Sequence, residues 1–272
     1  MSPPNDYRPD PIVPASLRRR PIHPTMRIPV PWFLADQDAI GLKTGSWNFR
    51  EVMASRANLA LRNRVCWICG TPHHGHATVI GGPASIITGN VSDPPSHPEC
   101  AEFAVQVCPF LVNPERERRA DLTPNDLTPG VLLQHNPGLA ILWTASAVHF
   151  TRFSDRTKGT SLIRIPALAP VKLTCWCHGR QANAGEIGAA LDKALTSLIN
   201  LAMQHGPEAV SDLAERTLQA VTVINAHLPP EIAEAVDWSS VITNVATRTV
   251  YNARRLRLEQ DINRAIVKGM MH

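Results

Sequence analysis

The chain has 272 residues, of which 44% are hydrophobic and 18% charged, and this suits one large or two modest globular domains with a real core. The formal net charge is only +4, so bulk charge does not establish nucleic-acid binding, for which a clustered basic patch would count more. Six cysteines are too few for a disulfide scaffold. The N-terminus lacks the apolar segment of a signal peptide, and no apolar run reaches the ~18 residues of a membrane span. We therefore expect a cytoplasmic protein without a membrane partner.

Residues 1–31 form an arm rich in proline and arginine, with nine Pro and five Arg against two Asp. Proline fixes φ and cannot donate to a β-ladder, so the arm is predicted to be extended and to lack a core of its own. It is either a loosely draped tail or an arm that wraps a partner or a second subunit. Trp32, Phe33 and Leu34 follow, and we expect them to anchor the arm to the body.

Three further segments are predicted after the arm. Residues 32–112 hold a helix, with Ser46 as its N-cap, and a cysteine-rich region. Residues 113–130 are polar and rich in proline, which is typical of a linker. Residues 131–272 are predicted to form an α+β domain that ends in helices.

Four cysteine and histidine residues have the spacing of a zinc site. Cys66 and Cys69 are separated by two residues and followed by Gly70, the pattern of a zinc knuckle, in which a tight turn aims both thiolates at one point. His97 and Cys100 are three residues apart, so they project from one side of the first turn of a helix. Four protein ligands fill a tetrahedral Zn²⁺, and a closed site of this kind is structural.

The order of elements around these ligands resembles the treble-clef zinc finger. "HATVIGGPASIIT" is predicted to form two short strands around Gly-Gly-Pro. "PECAEFAVQVC" is predicted to form a helix with Ser96 as N-cap and Pro98 in its first turn. A knuckle, a hairpin and then a ligand-bearing helix is the treble-clef order, and the resemblance covers residues 64–108.

The remaining cysteines are candidates for further ligands. Cys108 competes for the fourth zinc position, but it lies about 80° around the helix from Cys100, so we expect it to face the core or to follow the helix end. Cys175 and Cys177 share one face of a predicted strand, with His178 beside them. They form either a second metal site, with or without Cys108, or a pair of buried thiols that behave as small hydrophobic side chains.

A histidine cluster, His73, His74 and His76, precedes the predicted hairpin. It resembles the arrangement in ββα-metal (HNH-type) nucleases, which share the treble-clef scaffold. That resemblance implies that His74 or His76 acts as general base beside a divalent metal ion. The Asp-His pair of that family is absent, and the helix histidine, His97, is already assigned to zinc. The alternative is an exposed polar loop.

The C-terminal half is predicted to be strands followed by helices. The segment 131–178 is predicted to hold the sheet, with β-rich runs separated by turn residues, and "GVLLQHNPG" at its start is predicted to form a short helix. Asn183 and Glu186 have the spacing of a capping box that opens a helix ending at Gly206. A second helix begins at Pro207, and a third stretch covers roughly 231–268. The expected fold is α+β, with an N-terminal treble-clef finger, a small antiparallel or mixed sheet, a helical hairpin and a long last helix.

The last helix contains the clearest basic stripe. Arg254, Arg257, Arg264 and Lys268 fall on one side of it, and Asp261 lies between them. Such a stripe can follow phosphates of DNA or RNA, or it can be a solvated face opposite a packed one. It is the candidate nucleic-acid or partner-binding site.

The chain also resembles uncharacterised proteins of phages and prophages. The resemblance depends on "IPVPWFL", "CWIC", "PPSHPECAEFAVQVCPFL" and "WCHGRQANAGE". It implies a bacterial host cytoplasm and an accessory role, and it supplies no catalytic residues.

Three functions follow as hypotheses. The first is a non-enzymatic, zinc-stabilised binding protein that engages a host protein or nucleoprotein complex. The second is a ββα-metal nuclease. The third is a structural protein that forms homo-oligomers through the N-terminal arm and the last helix.

Overall fold

A computed structural model describes residues 11–34, 47, 54–113, 138–155, 160–166, 170–239, 241, 243, 252, 254–258 and 260. Within these residues the protein is mixed α+β with two antiparallel sheets, as predicted for the fold class. No helix in the described part of the chain has the length and apolar character needed to cross a bilayer.

The helices are α1 (Ala54–Asn63), α2 (Pro83–Thr88), α3 (Pro98–Val107), α4 (Pro109–Val112), α5 (Ala184–His205), α6 (Pro207–His227) and α7 (Pro230–Ala235). The strands are β1 (His76–Gly81), β2 (Asn90–Val91), β3 (Ala140–Ser146), β4 (Thr151–Asp155), β5 (Thr160–Arg164), β6 (Lys172–Cys177) and β7 (Arg180–Gln181). Three short 3-10 turns cover Ala15–Leu17, Trp32–Leu34 and Ala147–His149.

The larger sheet has the strand order β1-β3-β6-β7, with every pairing antiparallel. Its central strand, β3, is apolar along most of its length because both of its faces are covered. Ile141 and Trp143 belong to the main core, whereas Ala140 and Leu142 pack with α3 residues on the opposite face. The sheet therefore lies between α3 and the main core. The smaller sheet has the order β2-β5-β4.

Helices α5 and α6 contribute most of the main core. The predicted capping box at the start of α5 is confirmed: Asn183 Oδ1 accepts from the Glu186 amide at 3.0 Å, and Glu186 Oε2 accepts from the Asn183 amide at 2.9 Å. Ile187 and Leu191 on α5 are fully buried, and Ile224 on α6 is buried with them. Helix α2 packs on both helices, and this contact joins the residues after β1 to the helical layer.

The predicted second strand of the hairpin is wrong. Residues Pro83–Thr88 form α2, with Gly82 as N-cap, Pro83 in the first turn and Gly89 in the left-handed conformation as C-cap. The run Ile86-Ile87 fits a buried helix turn as well as a strand, and the flanking proline and glycine favour the helix. Strand β1 pairs instead with β3, far along the chain.

Two other boundary predictions change. The N-cap of α3 is His97, without a side-chain capping bond, and not Ser96, whose backbone forms an antiparallel bridge with Thr78. The predicted helical stretch over 231–268 is interrupted, because α7 ends at Ala235 and Val236 is extended. Helical backbone resumes at residues 238–239 and is described again at 254–258.

Several predictions lie outside the described residues. These are the Ser46 N-cap, nearly all of the linker 113–130, the short helix at 131–137, and the positions of Arg264 and Lys268. The domain boundaries at 31, 112 and 130 stay predictions.

Candidate metal centre

The knuckle is a tight turn closed by backbone hydrogen bonds. The Cys66 amide donates to the Thr71 carbonyl and the Gly70 amide donates to the Cys66 carbonyl, both at 2.8 Å. Gly70 has φ of +80°, a left-handed conformation that a residue with a Cβ adopts only with strain. The turn therefore needs glycine at position 70 and leaves the Cys66 and Cys69 side chains on its inner side.

The start of α3 is held against the knuckle by backbone bonds on both sides. The Trp67 amide donates to the Pro95 carbonyl at 3.0 Å. Thr78 and Ser96 exchange two backbone hydrogen bonds, at 2.7 and 2.8 Å, so β1 is fixed to the residue that precedes His97. These contacts place the second ligand pair opposite the first.

The four predicted ligands, Cys66, Cys69, His97 and Cys100, are brought together, with their ligand atoms all within 4.8 Å of one another. Ligands of a tetrahedral zinc bound at ~2.3 Å lie about 3.7 Å apart, so small side-chain adjustments would suffice to bind the ion. The three cysteines are buried and His97 is half-buried. Three thiolates and one imidazole are a common ligand set of structural zinc sites.

The imidazole of His97 is oriented for coordination through Nδ1. Its Nε2 donates to the Pro72 carbonyl at 3.0 Å, because a carbonyl can only accept. Its Nδ1 lies 3.3 Å from the Cys69 sulfur, inside the cluster. An outer hydrogen bond of this kind selects the tautomer that presents the other ring nitrogen to a metal ion.

The sulfur atoms also have outer partners. The amides of Cys69 and His97 donate to Cys66 Sγ at 3.4 and 3.3 Å. Thr71 Oγ1 lies 3.2 Å from Cys69 Sγ, and Ser16 Oγ lies 3.3 Å from Cys100 Sγ. Sequence reasoning missed the last contact, since nothing in the spacing connects residue 16 to residue 100.

The cluster distributes charge unevenly among its members. Hydrogen bonds from Cys100 and Cys66 hold the pKa of Cys69 well below its ordinary value, and the same pairings raise the pKa of Cys100. Hydrogen bonding to Cys66, then to Cys69, raises the pKa of His97 to about 11. Among the cysteines of the cluster, Cys69 is therefore the one favoured as a thiolate, which is the form of cysteine that binds metal ions.

The described part of the arm, residues 11–34, packs on this cluster. Leu17 is 1% exposed and belongs to the same apolar cluster as the ligands. The Trp32 amide donates to the Ile68 carbonyl at 2.6 Å, and Phe33 stacks on Trp67 with ring centroids 4.7 Å apart. The predicted anchor residues therefore bind the arm to the knuckle of the same chain.

The three histidines of the loop have different surroundings. His73 lies against His97, with ring centroids 5.0 Å apart, and burial lowers its pKa to about 4. Both of its ring nitrogens are buried and have no hydrogen-bond partner among the described residues. His74 and His76 are exposed. Among the described residues, neither belongs to a group of three or more side chains that could hold a metal ion. The general-base role stays an untested hypothesis for both.

The other cysteines lie away from the four-ligand cluster. Cys108 follows the end of α3 as its C-cap, one of the two positions expected for it. Burial raises the pKa of Cys175 to about 12 and that of Cys177 to about 11, so both stay protonated at neutral pH. Cys177 is close to His178 and Glu186, not to Cys108.

The group of Cys177, His178 and Glu186 is a weaker candidate for a metal site. The Glu186 carboxylate already accepts two hydrogen bonds from Arg180, at 2.6 and 2.9 Å, as well as the bond that completes the capping box. The adjacent guanidinium repels a cation and occupies the lone pairs that a metal ion would need.

The predicted basic stripe is described only in part. Arg254 and Arg257 are exposed on helical backbone at i and i+3, as the stripe requires.

Comparisons with protein-family models, with curated proteins and with solved structures find no significant match to the chain.

Proposed function

We propose that this is a non-enzymatic binding protein whose structure around the knuckle is stabilised by one Zn²⁺ on Cys66, Cys69, His97 and Cys100. The observation that supports this is the convergence of four largely buried ligand atoms within 4.8 Å. Four protein ligands leave a tetrahedral ion no position for water or substrate. Zinc here holds surfaces in place and does no chemistry.

The finger is, in our proposal, an interrupted treble clef. The knuckle with its Val65–Pro72 bridge comes first, and β1 follows it. The Thr78–Ser96 bridge stands where the second hairpin strand would pair, immediately before α3. Helix α2 and strand β2 are inserted between the two halves of this pairing, which lets the finger contact the main core.

The biological role we propose is that of a phage or mobile-element accessory factor in the bacterial cytoplasm. It engages a host protein or nucleoprotein complex through surfaces held by the zinc. The exposure of His74 and His76 supports a binding role over a catalytic one, because a general base acting beside a metal needs further ligands.

One affinity purification from the native host, with metal analysis of the recovered protein, tests this proposal. We expect one zinc per chain and a co-purifying complex, and we expect Cys66→Ala to lose both. Cys175→Ala is the matched control, since Cys175 is a buried cysteine outside the cluster. Absence of zinc from the wild-type protein, or magnesium-dependent DNA cleavage abolished by His76→Ala, would overturn it.

A further inference from the structure

The arm and the chain on either side of the knuckle carry charge of one sign, whereas Asp93, Glu99 and Glu102 lie before or on α3. Residues 11–34 and 54–92 contain seven arginines but no lysine, aspartate or glutamate. The small net charge of the whole chain conceals this asymmetry, because acidic residues elsewhere offset the arginines. Local excess charge of one sign is what attracts a charged partner.

Six of these arginines lie in the arm or on the chain that leads into the knuckle, and we call them the arginine rim: Arg18, Arg19, Arg20, Arg56, Arg62 and Arg64. Arg18 and Arg19 follow Ser16, which contacts Cys100, by two and three residues. Arg64 precedes Cys66 by two residues. At most ~3.8 Å separates consecutive Cα atoms, so these three lie within roughly 12 Å of a ligand or its contact.

Arg20 and Arg56 lie close together, and Arg62 shares a helix with Arg56. The Arg20 Nε donates to the Val30 carbonyl at 3.0 Å. Burial and then the charge of Arg56 lower the pKa of Arg20, while the charge of Cys69 raises it, so all three groups are close. Arg56 lies over the Trp32 ring, 4.6 Å from its centroid, and Arg62 follows on the same helix.

The rim is available to a partner. Arg18, Arg19, Arg62 and Arg64 are exposed, and no ion pair involves them within the described part of the chain. The zinc with three thiolates adds roughly one negative charge, which is buried. Positive charges within the ~8–10 Å Debye length of one another add their potentials, and Arg18, Arg19 and Arg20 are consecutive in the chain.

The chemistry of the rim favours nucleic acid over other anions. Arginine presents a planar fork that binds phosphate in two hydrogen bonds, and the rim has arginine throughout. Two half-buried aromatic side chains belong to the same region: Trp32, whose ring lies under Arg56, and Phe33, the next residue in the chain. Guanidinium groups interleaved with aromatic rings are typical of surfaces that bind single strands, where phosphates and unpaired bases are both accessible.

We propose that the arginine rim binds single-stranded nucleic acid through its phosphates, with the rings of Trp32 and Phe33 beside the bases. This rests on the proposed function, since the zinc cluster holds the rim together. The proposal places the nucleic-acid site among residues 18–64, separate in sequence from the basic stripe of the last helix.

Fluorescence anisotropy of the zinc-loaded full chain with a labelled oligothymidylate of about 20 nucleotides tests this proposal. We expect binding that weakens with salt, with a slope of about −0.7 for each phosphate neutralised. Replacing Arg18, Arg19, Arg62 and Arg64 together by Gln should weaken binding at least about ten-fold and flatten the slope by about two units or more. These side chains are exposed, so zinc content and melting temperature should not change.

Two control variants sharpen the result. Arg254→Gln with Arg257→Gln removes two exposed arginines from the last helix and should change the affinity less than about two-fold. Glu99→Gln removes the exposed carboxylate beside Cys100 and should tighten binding modestly, because it weakens a local repulsion of phosphate.

The proposal is overturned if the oligonucleotide does not bind at low salt, or if the four-arginine variant binds as the wild type does. Tighter binding of a matched duplex or of vesicles containing phosphatidylserine would equally contradict it. Oligonucleotide binding could fail in a protein that still holds one zinc and still co-purifies with a nuclease-resistant host complex. In that case only the arginine-rim proposal fails, and the proposed function is retained with a protein as the partner. Loss of zinc together with that complex would instead remove the proposed function.

Discussion

The metal centre and the main core stabilise two regions of this protein by different means. The apolar cluster around the metal centre has six buried members among the described residues, and three of them are the cysteine ligands. The main core is built from the faces of two long helices, α2 and both sheets, and its buried residues are almost entirely aliphatic. The first cluster is too small to fold without cross-linking, whereas the second resembles an ordinary domain core.

This difference explains why the stability of the arm is expected to depend on the cysteine cluster. Leu17 and Ser16 of the arm contact the cysteine cluster, and Trp32 covers the knuckle glycine. If zinc holds the cluster, it indirectly holds residues 11–34 as well. The account therefore predicts that removing the metal affects the arm and the finger but leaves the helical layer folded.

The largest effect is expected from Cys66→Ala or from chelation. Structural zinc contributes on the order of 10 kcal/mol to the folding of such sites, so its loss should unfold the finger and release the arm. Hydrogen exchange should show loss of protection at the Gly70 and Thr78 amides, with the amides of α5 and α6 still protected. Cys175→Ala should cost only about 1 kcal/mol. Equal effects of the two substitutions, or an unchanged melting curve in excess chelator, would contradict the comparison.

The next largest effect is expected in the main core. Leu191 is fully buried on α5, and Leu191→Ala should lower the free energy of unfolding by about 2–5 kcal/mol. The loss should be the same with and without zinc, as measured by denaturant unfolding followed through helical circular dichroism. Leu218→Ala on the exposed side of α6 is the control and should have little effect. A loss that disappears on chelation would show that the two regions unfold as one.

A smaller effect is expected where the arm meets the knuckle. In Gly70→Ala the new Cβ would overlap the Trp32 indole ring, and the positive φ would be strained as well. We expect a cost of about 2–4 kcal/mol and a shift of the tryptophan fluorescence as Trp32 moves. Gly75→Ala separates the two causes, because Gly75 also has a positive φ but no atom within 4 Å of the added Cβ. Matching losses in both variants would show that the Trp32 contact is unimportant.

The smallest effect concerns the capping box of α5. Arg180 holds the pKa of Glu186 below its ordinary value, so the pairing stabilises the fold above the unfolded pKa of about 4.3. That contribution is lost as the pH falls through the lower folded pKa. Glu186→Gln should cost about 1 kcal/mol at pH 7 and less in acid, by thermal unfolding across pH. The exposed Glu215→Gln is the control, and a cost for Glu186→Gln that is constant with pH would exclude the ionic pairing.

Local patterns predicted the short-range parts of the structure. The knuckle and the His97–Cys100 pair depend on spacings of two or three residues, and the capping box depends on Asn183 and Glu186 alone. Each involves a single turn of chain, which leaves little conformational choice. The ligand set could therefore be predicted before the fold.

The long-range parts could not be predicted in this way. Pairing of β1 with β3 and the contact of Ser16 with Cys100 join residues at least sixty positions apart, and single-sequence patterns do not encode such partners. Pro83–Thr88 was predicted wrongly because a short apolar run has no distinct period. The composition of the arm also does not reveal that Leu17 and Val30 are buried, so the sequence could not predict where the arm packs.

Cobalt substitution tests the central claim, a closed metal site made by Cys66, Cys69, His97 and Cys100, most directly. One equivalent of Co²⁺ should give the intense visible bands of a tetrahedral ion and the ultraviolet bands of thiolate ligands, and zinc should displace it. Added azide should leave the spectrum unchanged because no coordination position is open, and Cys108→Ala should behave like the wild type. A weak octahedral spectrum, a response to azide, or loss of the thiolate bands in Cys108→Ala would contradict the account.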